Sequence, residues 1–263
     1  MRWVGSAGLV ALFLLGGCRQ IFGIGDPDPA MPGDASHTID GSFVDAPSAI
    51  DAPVFLQQCS TLDTSLVGCW EFDDNLTDSG PHHLDIASGS SPPSYVAGHT
   101  SAGEAIVTNM IDLNVADSTL LDVNAVTIAA WVYVTMLPTD ANAHQAVLDN
   151  NNQYALYIES NGSIRCYAGP STANMSGVIH ANQWTHVACT GQGGTLRAYV
   201  DGQQVATGIL AGGIPTGSTT GLTLGSDNPS GSGSRLQGWL DDVRLYNRAL
   251  STKEVCRLHD PAC

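Results

Sequence analysis

From Cys59 onward the chain is a succession of short apolar-rich runs cut by tight-turn signals, and this pattern constrains its fold more than any other feature. Residues 126–134 show it best. Val126, Ile128, Ala130, Val132 and Val134 share one parity, whereas Trp131 and Tyr133 lie on the other. Similar runs occupy residues 67–72, 111–115, 145–148, 154–160, 163–168, 184–190, 196–200, 203–207, 222–225 and 238–246. Asn161-Gly162 and Asp201-Gly202 mark hairpins, because these residue pairs accept the positive φ that tight turns demand. No helices alternate with the strands, so a βαβ architecture is excluded. The expected class is all-β, a sandwich of two antiparallel sheets. One short helix is expected near the end, where Ser251 and Glu254 have capping-box spacing and Pro261 stops the helix. Residues 59–263 are expected to form one domain of about 200 residues, enough for a substantial core.

The last run carries an oddity. Trp239, Asp241, Val243 and Leu245 share one parity; Leu240, Asp242, Arg244 and Tyr246 share the other. Simple alternation therefore places Asp241 on the more apolar side. An ionised carboxylate there is costly unless paired, hydrogen-bonded or metal-bound.

Residues 1–58 have a different character. Arg2 precedes an apolar stretch, Val4 to Leu15, too short to span a membrane and read as a secretory signal over residues 1–17. Leu15-Gly16-Gly17-Cys18 resembles a bacterial lipobox, which implies cleavage before Cys18, acylation of its thiol and attachment to the envelope. By resemblance to enteric sorting rules, Arg19 favours the outer membrane. Residues 18–58 hold six aspartates and the near-repeats Val44-Asp-Ala-Pro47 and Ile50-Asp-Ala-Pro53. So little apolar content supports no core, and a solvated, disordered tether is expected. The segment resembles the Asp-Ala-Pro-rich spacers of myxobacterial lipoproteins.

Formal net charge is -16, the only lysine is Lys253, and neither Lys nor Arg occurs between Arg19 and Arg165. Such a chain repels nucleic acid and anionic headgroups, so nucleic-acid partners are excluded and membrane attachment falls to the lipid anchor alone. Beyond Cys18, six cysteines in an exported chain suggest three disulfides. No Cys-x-x-Cys pair points to zinc. Cys166 and Cys189 lie in two strand-like runs joined by a loop and are expected to bridge neighbouring strands. Cys59, Cys69, Cys256 and Cys263 cluster near the domain's two ends and are expected to staple the first strand region to the C-terminal tail, in an order left open.

Several segments together resemble a known family. These are Leu66-Val-Gly-Cys-Trp-Glu-Phe-Asp73 with Asp78-Ser-Gly80, Val126-Thr-Ile-Ala-Ala-Trp-Val132, and Asn182-Gln-Trp-Thr-His-Val-Ala188. Leu196-Arg-Ala-Tyr-Val-Asp-Gly202, Leu222-Thr-Leu-Gly225 and the run from Leu236 to Ser251 complete the set. In this order they resemble laminin-G-like domains of the concanavalin A-like lectin/glucanase group. The resemblance implies a jelly-roll sandwich that binds carbohydrate, glycosaminoglycan or protein, with glucanases among distant relatives. It also implies a structural calcium between first and last strands, held here by Asp241, Glu71, Asp78 and the Gly80 main chain. Calcium needs roughly six to eight oxygens, so waters and backbone would complete that shell. The alternative is that Asp241 accepts backbone N–H bonds at a sheet end, or pairs with Arg244 or Arg248.

Enzymatic activity is not expected. Retaining glucanases of this fold set two glutamates around an aspartate on one strand face as nucleophile and acid/base. Here the four glutamates, Glu71, Glu104, Glu159 and Glu254, are scattered, and adjacent Asp241 and Asp242 point to opposite sides of a regular strand. His186 reads as a packing residue. Candidate ligand contacts are Trp131 and Tyr133, which can stack on sugar rings or serve as framework, and the His82-His83 turn. The functional expectation is a noncatalytic, surface-displayed module recognising extracellular or cell-surface glycan. The alternatives are an adhesion or assembly module for an envelope protein and, more distantly, a glycoside hydrolase.

Overall fold

The computed structural model describes residues 59–89, 91–109, 111–141, 143–227 and 234–263. The leader, Cys18 and the tether lie outside the described residues. In chain order the strands are β1 (Leu66–Trp70), β2 (Ile86–Ser88), β3 (Tyr95–Ala97), β4 (Glu104–Val107), β5 (Leu113–Val115), β6 (Val126–Val134), β7 (His144–Asn150) and β8 (Tyr154–Glu159). They continue as β9 (Ile164–Ala168), β10 (Ser171–Met175), β11 (Trp184–Gln192), β12 (Thr195–Val200), β13 (Gln203–Ile209), β14 (Leu222–Leu224) and β15 (Gly238–Tyr246), before the helix α1 (Thr252–His259).

The strands form two antiparallel sheets. An eight-stranded sheet runs β13-β12-β11-β6-β15-β4-β3, with β1 also paired to β15; a seven-stranded sheet runs β10-β9-β8-β7-β14-β5-β2. The core lies between them, and the β6 residues assigned to it by parity, Val126, Ile128, Ala130, Val132 and Val134, are all buried there. Both hairpin signals hold: Asn161 and Gly162, like Asp201 and Gly202, adopt positive φ. So does the helix, whose capping box pairs the Ser251 side chain with the Glu254 N–H and the Glu254 side chain with the Ser251 N–H. Among the described residues no helix is long and apolar enough to cross a membrane.

Four strands escape a reading by periodicity. Strands β2, β3 and β4 have three or four residues each, too few to show a period. The fourth, β10, is short and mixed in character; its Ser171–Met175 backbone pairs with β9 all along its length.

On the outer face of the eight-stranded sheet a second apolar cluster gathers Leu66, Ala129, Ala188, Tyr199 and Tyr246 under Leu250, Val255 and Leu258. Alanines at 129 and 188, paired across β6 and β11, leave room for α1 to lie on the sheet. The helix therefore covers one half of that face and leaves the other open.

The disulfides depart from expectation in two ways. Cys166 and Cys189 are joined, but the bridge runs from β9 to β11, strands of opposite sheets, so it crosses the core and does not link neighbours. The remaining bridges are local: Cys59–Cys69 and Cys256–Cys263 close short segments and do not staple the first strand region to the tail. The reason is the ladder itself. Pairing of β1 with β15 already joins the ends, from Leu66↔Tyr246 to Trp70↔Val243. The cysteines flanking that ladder meet partners along their own chain.

Loop closure sets the order of their contributions. Cys166–Cys189 spans 23 residues, against 10 and 7 for the others. Replacing Cys166 and Cys189 by alanine is expected to lower unfolding stability by about 3 kcal/mol in urea titrations, more than either local pair. An equal loss on removing Cys256–Cys263 would contradict this ordering.

Candidate functional site

The open half of the outer face is built by register. On adjacent strands, Trp184 of β11 pairs with Tyr133 of β6, and Tyr133 pairs with Trp239 of β15. Directly paired residues point to the same face, so three large rings stand side by side. Tyr133 and Trp239 stack at 4.1 Å, Tyr133 meets Trp184 edge-to-face at 5.6 Å, and the two indoles are 6.1 Å apart. Two residues along β6, the next row pairs His186, Trp131 and Asp241.

A break in β15 shapes the rest of this face. Register shifts between Asp241 and Arg244, and Asp242 sits at φ 49°, a left-handed conformation. The bulge inverts parity: Leu240, Val243 and Leu245 enter the core, while Trp239, Asp241, Arg244 and Tyr246 do not. Asp241 therefore does not lie on the apolar side, as strict alternation placed it. It shares the outer face with Trp131. The break falls where two strands share one edge of β15, β4 pairing with Trp239 and Leu240 and β1 with Val243 to Tyr246. Residues flanking that gap converge on it.

The gap opens into a cavity of about 370 Å³ lined by carboxylates of Glu71, Asp73, Asp241 and Asp242, by His99, His259 and Arg244, and by Trp131. His99 arrives from the β3–β4 turn. Its main-chain N–H donates to Asp241 Oδ2 at 2.9 Å and its Nδ1 lies 2.7 Å from the same oxygen. Nδ1 donates to that carboxylate, and Nε2 lies 3.8 Å from Asp242 Oδ2. The imidazole stacks on Trp131 at 4.4 Å. Gly98 makes the approach possible, since a Cβ there would meet Asp241 Oδ2 at 2.6 Å. Arg244, 4% exposed, places Nη2 3.2 Å from Asp242 Oδ1. Burial pushes the Asp242 carboxyl up; Asp241 and Glu71 add to this, while Arg244 and His99 oppose it.

From the covered half, His259 at the end of α1 lies 5.4 Å from Trp131 and 5.9 Å from His186. His186 is fully buried and its Nδ1 has no hydrogen-bond partner. Burial, followed by the nearby His259, Arg244 and His99 charges, drives its pKa down to about 3.

The residues singled out from sequence divide accordingly. Trp131, Tyr133, Asp241 and Glu71 come together at the cavity and the aromatic row. Asp78 and Gly80 do not line the cavity. Asp78 Oδ1 accepts the N–H groups of Cys69 and Gly80, and its Oδ2 accepts that of Leu84, so it pins the turn after β1 to the strand. His82 and His83 sit in that same turn, away from the cavity lining. Arg244 pairs with Asp242 and Arg248 with Glu254, and Asp241 accepts the main-chain N–H of His99. Trp184, Trp239, His99, Asp242 and His259 were not among the candidates.

The set implied for calcium, Asp241 with Glu71, Asp78 and Gly80, does not assemble and does not fit that ion. Among the described residues the metal-capable group that converges is His99, Asp241 and Asp242, with ligand atoms within 4.8 Å of one another. A nitrogen and two carboxylates are a poor match to a cation that seeks many oxygens, and Asp241 Oδ2 already takes two donors from His99.

Two stacked antiparallel sheets, with an aromatic row and a polar cavity on one outer face, define a lectin-type β-sandwich. The model of the concanavalin A-like lectin/glucanases superfamily (Laminin_G_3) matches residues 108–256, and the chain belongs to that family. It is 31% identical over 114 residues to adhesion G-protein coupled receptor V1 of Danio rerio, a match spanning 43% of this chain and 2% of the receptor. Similar solved structures include domain 4 of AbnA, a GH43 extracellular arabinanase from Geobacillus stearothermophilus, in complex with arabinotriose. There the TM-score is 0.60 and identity 19%, over 74% of this chain and 98% of that one. The binding domain of Paraclostridial Mosquitocidal Protein 1 has TM-score 0.59 and 17% identity, over 75% and 52%. The binding domain of botulinum neurotoxin DC in complex with SialylT gives 0.51 and 12%, over 75% and 51%. At these identities the likeness establishes the fold.

The state of His186 has a measurable consequence. Its folded pKa lies below the unfolded value of about 6.5, so as pH falls from there toward 3 the unfolded chain binds a proton that the folded chain refuses. The stability tied to neutral His186 is complete above that window and is lost downward through it. Substituting His186→Gln is expected to narrow the stability gap to wild type by roughly 1 kcal/mol per pH unit between pH 6 and 4. A gap independent of pH would show that His186 does not titrate this way.

Proposed function

We propose that the domain is a noncatalytic glycan-binding module whose ligand lies on the open half of the eight-stranded sheet's outer face. The observation that carries this is the row Trp184–Tyr133–Trp239 beside the cavity at Trp131, His99, Asp241 and Asp242. A sugar ring has an apolar C–H face that packs on aromatic surface and a rim of hydroxyls that hydrogen-bond to carboxylates and imidazole. Row and cavity adjoin, with the His99 ring 6.3 Å from that of Trp184. Support also comes from two of the similar domains, one solved with arabinotriose and one with SialylT.

The carboxylates support binding over hydrolysis. A retaining pair stands roughly 5–5.5 Å apart on either side of the scissile bond. Asp241 and Asp242 instead flank one imidazole, His99, and Arg244 engages Asp242 as well.

A protein-binding role in adhesion is the second reading, favoured by the adhesion receptor among the chain's relatives. The chain spans about 2% of that receptor, so the receptor's partners are not carried over. We further propose display on the bacterial envelope through Cys18, supported by the Leu15-Gly-Gly-Cys18 pattern and the Asp-Ala-Pro segment behind it.

Two experiments test these readings. On a broad glycan array the full chain is expected to bind, and Trp184→Ala with Trp239→Ala to weaken binding by about tenfold or more. Absence of any glycan signal, with capture of an envelope protein that the double variant abolishes, would replace the first reading by the second. Metabolic labelling with a fatty acid in a bacterial host is expected to mark the wild-type chain and not Cys18→Ser; equal labelling would remove the anchor.

A further inference from the structure

Resting on the glycan reading, we infer that the saccharide recognised at this site carries a positive charge, as a free amino sugar does, and that uronic and sialic acid residues are excluded from the cavity.

The lining sets this polarity. Four carboxylates, Glu71, Asp73, Asp241 and Asp242, face one cation of fixed charge, Arg244. The chain as a whole is acidic too, with no Lys or Arg between Arg19 and Arg165 and a formal net charge of -16. A carboxylate or sulfate entering here would meet like charge in a partly desolvated space, where repulsion is strongest. Burial, reinforced by Asp241 and Glu71, already pushes the Asp242 carboxyl up. An arriving cation relieves that repulsion.

The acids are one wall of a shaped cavity. Trp131 forms another, with His99 stacked on it at 4.4 Å and His259 tilted against it at 5.4 Å. Beside Trp131, in the same cross-strand row, stands His186, 1% exposed, with its Nδ1 buried and unmatched. From the cavity the sheet face continues into the row of Tyr133, Trp184 and Trp239. A ligand filling both needs an ammonium group at one end and a ring with an apolar face at the other.

An ammonium fits the acceptors better than a divalent ion. Asp241 Oδ2 is held by His99, and Asp73 Oδ1 accepts the Glu104 N–H at 2.8 Å, so part of the acceptor set is already engaged. A group with three N–H donors is satisfied by about three acceptors, each in a charge-assisted bond. A hard divalent cation requires roughly six to eight oxygens.

The test is titration calorimetry on the full chain near pH 6 with three trimers: glucosamine, N-acetylglucosamine and galacturonic acid. The glucosamine trimer is expected to bind about tenfold or more tightly than its acetylated counterpart, with the preference shrinking in high salt, and the galacturonate trimer not to bind. Asp242→Asn and Asp73→Asn are expected to bring the ratio of the first two toward one. Both substitutions suit the fold: asparagine tolerates the positive φ at 242, and its side-chain oxygen at 73 still accepts the Glu104 N–H. Equal binding of glucosamine and N-acetylglucosamine trimers, galacturonate binding, or a preference untouched by both variants would overturn the inference and leave the glycan reading standing. Trilysine binding as tightly as the glucosamine trimer would put a peptide cation in the site and also overturn it. No saccharide bound at all, here and on the array, would end the glycan reading and this inference with it.

Discussion

The ladder between β6 and β15, and its interruption at Asp242, organises the rest of the molecule. Where the two strands run in regular register, Leu240 and Leu245 face the core with Val132 and Ile128, and the aromatic side chains face out. An unbroken strand would send Val243 and Leu245 to the same side as Trp239 and Asp241, so apolar and acidic groups would compete for one surface. The inserted residue resolves that conflict. It returns Val243 and Leu245 to the core and leaves Asp241 and Arg244 beside Trp131 and Ala129. Its cost is a nonglycine residue at positive φ, and aspartate is among the side chains that tolerate this best.

Because the bulge lies between the segments of β15 paired with β4 and with β1, it also decides where polar groups collect. The end of β1 delivers Glu71 and Asp73, the turn before β4 delivers His99, and β15 itself delivers Asp241 and Asp242. His99 bonds across 142 residues of chain to Asp241, tying that turn to the closing strand. The helix then divides the outer face. Val255 and Leu258 seal the alanine-floored half, and His259 reaches to the edge of the aromatic half.

Much of this was legible from residues alone. The β6 face, both hairpins and the C-terminal capping box depend on neighbours in sequence, and a period or a turn preference reports them. So did the place of Trp131 and Tyr133 opposite the core. What escaped depends on pairing at a distance. No local signal tells that Trp184 and Trp239 fall opposite Tyr133, although their parity is clear once the register is known. His99 lies between two strands too short to display a period, and its role rests on a partner far along the chain. The misreading of Asp241 has a single cause: alternation was extended through a bulge, which an Asp-Asp pair within a strand run can signal but does not prove. The disulfides failed similarly, because proximity of the domain's ends was attributed to cysteines when the β1–β15 ladder supplies it.

The position of the cavity has an energetic implication. Its acidic groups come from β1's end and from β15, the first and last strands of the domain, which meet only in the folded state. Gathering carboxylates in one partly buried space opposes the closure that the β1–β15 ladder favours, and the opposition shows at Asp242, whose carboxyl is pushed up by burial, Asp241 and Glu71 against Arg244 and His99. Anything that binds there with compensating charge binds the folded chain alone and stabilises it by mass action. Under the glycan reading proposed above, recognition and closure of the sandwich would be coupled through one set of side chains. A site on an outlying loop would lack this coupling; a site at the seam cannot avoid it.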